Sequence, residues 1–136
     1  MTVCVLDASV VARWFLAPDP ASQRLLNEYE AGRLSIHAPE LLLEEVGNAL
    51  WKAVGFGNLP AANARAAMRH LLEYELTLHP HALFIEAALA LALEHRFTVY
   101  DATYVAIAVR LDLPLHTADR KLHRVASSLV RSVLVG

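Results

Sequence analysis

The chain has 136 residues, with 12 basic and 14 acidic side chains and a formal net charge of −2. Apolar residues make up 56% of it and there is a single cysteine, which excludes disordered, low-complexity and disulfide-framework classes. No stretch approaches the roughly 18 uncharged residues a membrane span needs, and Asp7 falls too early for a secretory signal. The expectation is one soluble intracellular domain over residues 1–136. A pI of about 6.4 gives no support for broad attraction to nucleic acid, although a local basic rim remains compatible with it.

Val3-Cys4-Val5-Leu6 is a short apolar run that stops at Asp7, which predicts a buried central strand in parallel pairing. Helices are predicted over Ala8–Leu16 and Ala21–Ala31, the second closed by Gly32. Leu34–His37 alternates as a strand, and the helix Glu40–Val54 follows with Pro39 at its start. A loop over Gly55–Pro60 leads to a helix over Ala61–Tyr74, a strand over Leu76–His79 and a helix over Ala82–His95. Both the run Ala87–Leu93 and the nearly all-apolar Asp101–Leu111 read as buried helix. A strand over Pro114–Thr117, a helix over Asp119–Ala126 and a strand over Val130–Val135 complete the chain. Strands alternate with helices, so the fold class is α/β with a mostly parallel sheet.

Three of the five aspartates, Asp7, Asp101 and Asp119, fall at predicted helix starts. Each alone reads as an N-cap, where a carboxylate accepts free backbone N–H groups. Together they admit a second reading, because ligand sites in open α/β sheets lie outside the carboxyl ends of strands. The helix Glu40–Val54 adds a fourth carboxylate. With residues about 100° apart, Leu42, Val46, Ala49, Leu50 and Ala53 form its core stripe, Glu45 lies on the stripe's edge and Glu44 faces away. A carboxylate drawn inward needs a partner, and Lys52 is the one available nearby.

Carboxylates that converge raise one another's pKa unless a cation neutralises them. An all-carboxylate set suits Mg²⁺ or Mn²⁺, hard ions that keep waters and bind phosphate. Zinc would want Cys or His, and Cys4 lies inside a strand. Such a site can hydrolyse phosphodiesters with a metal-activated water.

The segments VLDASV at 5–10, PELLLEEVGNAL at 39–50, YDATYVAIA at 100–108 and HTADRKL at 116–122, in this order and spacing, resemble the PIN-domain ribonucleases. The likeness is greatest to the VapC toxins of prokaryotic toxin–antitoxin pairs, and it covers essentially the whole chain. It implies a Rossmann-like, three-layer α/β/α sandwich and a magnesium-dependent endoribonuclease whose acidic quartet maps onto Asp7, Glu45, Asp101 and Asp119. It also implies supporting roles for Ser9, for Asn48 as an orienter of Glu45 or of a metal-bound water, and for Thr117. A homodimer inhibited by a cognate antitoxin, with RNA as substrate and no membrane association, follows from the same likeness.

Arg120 and Lys121, directly after an acid, are the better candidates for phosphate contacts; Arg13 and Lys52 are others. His79-Pro80-His81 reads as an exposed loop pair, and His116 as a strand histidine satisfied by a hydrogen bond. Trp51 lies opposite the core stripe of its helix and is either a partner surface or covered by the helix Ala61–Tyr74. Two alternatives remain: a phosphatase or phosphorelay domain with Asp7 as nucleophile, and a catalytically idle module acting through a protein partner. The first usually wants a second acid two residues after the nucleophile, where Ser9 stands.

Overall fold

The computed structural model describes all residues, 1–136. In chain order the elements are β1 Thr2–Leu6, α1 Ala8–Leu16, α2 Pro20–Glu30, β2 Leu34–Pro39, α3 Leu41–Phe56, α4 Ala61–Glu73 and β3 Thr77–His79. A short 3-10 turn over His81–Leu83 precedes α5 Ile85–His95, α6 Val99–Leu111, β4 Leu115–Thr117, α7 Arg120–Ala126 and β5 Ser132–Leu134. All four strand pairings are parallel, in the order β3-β2-β1-β4-β5.

The strand that the sequence marks as central is central. Cys4, Val5 and Leu6 point alternately to the two faces of the sheet, yet each is 0% exposed. Helices therefore cover both sides, and the architecture is a three-layer α/β/α sandwich. One core of 27 buried residues joins β1, β2 and β4 to α1, α3 and α6. Side chains such as Leu6, Ile36, Leu42 and Leu115 each contribute about 1.5–3 kcal/mol by leaving water. The Cys4 thiol, sealed in this core, is pushed up to about 12 by burial.

Three local readings are corrected. Pro39 is the last residue of β2, not the first of α3; the cap position belongs to Glu40, and α3 runs on through Gly55 and Phe56. The segment Ala87–Leu93 is helical but not buried. Only Ala88 of α5 is wholly enclosed, whereas Ile85, Leu89 and Leu93 form an exposed stripe at helical spacing. His79 does not form an exposed loop pair with His81 either: it ends β3, as the strand reading Leu76–His79 has it, and stacks on His37 of β2, with His37 Nδ1 and His79 Nε2 2.8 Å apart. Trp51 is 62% exposed and lies edge-to-face with the still more open Phe56; α4 does not cover it. No helix is long and apolar enough to cross a membrane.

Candidate active site

From β1 the chain builds outward through β2 to β3, then returns to β4 on the opposite side of β1. The crevice at the carboxyl ends of β1 and β4 is thus a topological switch point, where α/β sheets hold ligands. Asp7 leaves β1 there, with its backbone N–H still bonded to the His116 carbonyl of β4 at 3.0 Å.

Asp7 stands at the N-cap position of α1 but caps nothing with its side chain. It is 5% exposed, and its Oδ2 accepts hydrogen bonds from Ser9 Oγ at 2.6 Å and Thr117 Oγ1 at 2.8 Å. Both hydroxyls are fixed in turn. Ser9 Oγ accepts from the Ala118 N–H at 3.0 Å, and Thr117 Oγ1 accepts from the Asp119 N–H at 3.0 Å. Burial raises the Asp7 pKa, the two hydroxyl bonds oppose this, and the Asp119 charge adds to the rise. Ser9 and Thr117, supporting positions in the resemblance, thus form with Asp7 a hydrogen-bonded triad at the ends of β1 and β4.

Glu45 projects from the half-buried edge of α3, while Glu44 is exposed, as the helical periodicity requires. Its partner is not Lys52. The hydroxyl of Tyr104, a wholly buried residue of α6, donates to Glu45 Oε1 at 2.8 Å. The Glu45 carboxyl is pushed up to about 7, chiefly by burial and then by the charges of Asp7, Asp101 and Glu44. Tyr104 itself lies in the field of Asp7 and Glu45 as well as being buried, and its phenol rises well above 10. Sequence reading missed Tyr104 because its helix looked uniformly apolar. The signal was available, since a buried tyrosine hydroxyl usually needs a polar partner.

Asp101 does not open its helix. α6 begins at Val99 behind the N-cap Thr98, whose side chain accepts from the Asp101 N–H, so the helix is capped by Thr98 and not by the Asp101 carboxylate. Burial, then the charges of Asp7 and Asp119, push Asp101 up to about 6, and the Thr98 hydroxyl and then nearby Lys121 draw it back down. Asp119 is the one acid for which capping holds. Its Oδ1 accepts from the Lys121 and Leu122 N–H groups at the start of α7, which leaves Oδ2 open.

All four acids thus act on one another: Asp7 with Glu45, Asp101 and Asp119, Glu45 with Asp101, and Asp101 with Asp119. As placed, no three His, Cys, Asp or Glu side chains are drawn together into a ready ligand sphere. An all-oxygen set of mutually repelling carboxylates nonetheless fits a hard divalent cation, which would remove the repulsion. Among the supporting residues, Asn48 is exposed one turn beyond Glu45 and makes no side-chain hydrogen bond to it. Arg120 and Lys121 are exposed. Arg13 is not available for phosphate, being paired with Asp19 at 2.9 Å and directed at the Val135 carbonyl.

A family model described as the PIN domain matches residues 4–128. Ribonuclease VapC3 of Pyrobaculum aerophilum is 36% identical over 128 residues, covering 93% of this chain and 96% of the relative. The chain belongs to the PIN-domain family, among its VapC proteins. Two solved structures share the fold at low identity. VapBC2 of Rickettsia felis, bound to a DNA fragment from their promoter, has a TM-score of 0.70 at 11% identity, covering 99% of this chain and all of that one. VapC20 of Mycobacterium tuberculosis, a Sarcin-Ricin loop cleaving toxin, has a TM-score of 0.68 at 18% identity, with 95% and 97% covered.

Proposed function

We propose that this chain, a single PIN unit over residues 1–136, is a Mg²⁺- or Mn²⁺-dependent endoribonuclease and the toxin of a toxin–antitoxin pair. The observation that carries the reading is the gathering of Asp7, Glu45, Asp101 and Asp119 at the sheet's switch point, where burial first and neighbouring acid charges second raise the carboxyls of Asp7, Glu45 and Asp101. Likeness to a named ribonuclease over nearly the full length supports the RNA substrate. The fold shared with VapBC2 supports a cognate antitoxin, and the exposed stripe of α5 supports a homodimer.

Asp7, Glu45 and Asp101 would hold the cation, with Asp119 contributing through its open Oδ2. When bound, the ion supplies a water of lowered pKa and positive charge beside the scissile phosphate. Ser9 and Thr117 fix Asp7 so that one oxygen is held while the other is left for a ligand. Tyr104 fixes Glu45 in the same manner through Oε1. Lys121, close enough to lower the Asp101 pKa, sets a positive charge beside the site for the phosphate backbone.

The test is cleavage of total RNA with Mg²⁺, with chelator, and by Asp7→Asn and Asp101→Asn. Cleavage is expected only in wild type with metal. Full activity in chelator or in either variant overturns the reading. Growth arrest on expression, relieved by the gene neighbouring this one, is the expected cellular result.

A further inference from the structure

A cleft of about 370 Å³ opens beside the carboxylates, lined by Leu41, Glu44, Glu45 and Asn48 of α3 and by Tyr100 of α6. Its volume lies at the small end of the roughly 300–1,000 Å³ of small-molecule pockets. Tyr100 stands one residue before Asp101 and is 62% exposed, with no aromatic or hydrogen-bonding partner. Its ring packs into no part of the core and presents an open aromatic face on the cleft beside the carboxylates. The remaining lining decides the chemistry. Glu44 and Glu45 make this wall acidic, so it repels phosphate, while the cation Lys121 lies at the Asp101 side of the site. Backbone is therefore drawn toward Lys121, and the neutral part of a nucleotide is left for the cleft. Leu41 offers an apolar surface, Tyr100 a ring, and Asn48 with Glu44 a donor and acceptors at the rim.

We infer that this cleft is a base subsite, in which an unpaired nucleobase next to the cleaved phosphate stacks on Tyr100 with its edge facing Asn48 and Glu44. Unpaired bases splayed onto aromatic side chains are the usual mode of single-stranded RNA recognition, and stacking tolerates any base. The inference rests on the ribonuclease reading and deepens it, because it restricts the substrate to RNA with at least one unpaired base at the cut.

The test uses the full chain carrying Asp7→Asn, so that RNA is bound without being cut, and fluorescein-labelled hexamers of adenosine, cytidine and uridine read by anisotropy. Adding Tyr100→Ala is expected to weaken binding about tenfold, while Tyr100→Phe, which keeps the ring, leaves it within about twofold. In the otherwise wild-type enzyme, Tyr100→Ala is expected to raise KM for a hexamer with little change in kcat. Equal binding by the alanine and tyrosine forms overturns the base subsite. So does unchanged RNA binding accompanied by a shift in sedimentation, which would make Tyr100 a protein contact. Failure of the ribonuclease reading looks different: undiminished cleavage by Asp7→Asn, or no binding of any hexamer by its tyrosine form, removes both conclusions together.

Discussion

Thr117 Oγ1 donates to Asp7 Oδ2 at 2.8 Å across 110 residues of chain, and the donor is wholly buried. This one bond ties the end of β4 to the acid that ends β1, and it links folding to the site. Thr117→Val keeps the shape and removes the hydroxyl from a buried carboxylate and from the Asp119 N–H. Urea unfolding in chelator should show a loss of about 1–3 kcal/mol. RNA cleavage with Mg²⁺ should fall roughly 10–100-fold, as expected when a ligand loses its orienting partner.

Tyr104→Phe changes one atom inside a packed helix. Stability is expected to fall by about 1–3 kcal/mol, since the buried hydroxyl that bonds Glu45 and faces the Ala8 backbone is lost. Mn²⁺ affinity measured by calorimetry should drop about tenfold, because Glu45 is no longer held through Oε1. In a Glu45→Gln background the same substitution should cost no further affinity. Additive losses in the double variant would mean that Tyr104 acts only through packing.

The raised carboxyls make a statement about pH. Glu45 near 7 and Asp101 near 6 lie above their ordinary values of 4.5 and 3.8. Between about pH 4 and 7 the folded chain therefore holds more protons than the unfolded one, so these groups lose stability as pH rises. Burial lowers the pKa of His37 and His116, which acts in the opposite sense below pH about 6.5. Comparison with Glu45→Gln isolates the carboxylate. In chelator the variant should melt above wild type at pH 8, with the gap closing by pH 5. Saturating Mn²⁺ should reverse the order at pH 8.

Asp101→Asn should separate chemistry from folding. Thr98, not Asp101, caps α6, so the amide leaves the helix start intact and relieves a crowded charge. The melting temperature in chelator should hold or rise while cleavage is lost. Asp119→Ala is the contrast, because Oδ1 caps α7 and removing the side chain carries a cost of about 0.5–2 kcal/mol.

The strands and most helices were legible because β1 is apolar on both faces and because Gly32 and the loop read over Gly55–Pro60 punctuate the chain, although α3 takes the first two residues of that loop. α1 spans the predicted Ala8–Leu16. Within the site, Ser9 and Thr117 were singled out by the family resemblance alone, and their bonds to Asp7 depend on how α1 and β4 meet. What escaped was set by partners distant in sequence. Tyr104 meets Glu45 across 59 residues, and His79 meets His37 across 42. The start of α6 shifted because Thr98 caps it ahead of the acid. α5 was misjudged because hydrophobicity without a polar face suggested burial, whereas its leucines are simply left uncovered.

The two outermost strands, β3 and β5, are each three residues long. So short a ribbon offers almost no ladder onto which another chain could add, a common safeguard against runaway fibre growth. The apolar surface this molecule does leave open lies instead on a helix, along Ile85, Leu89 and Leu93 of α5, while the sheet stays an interior scaffold.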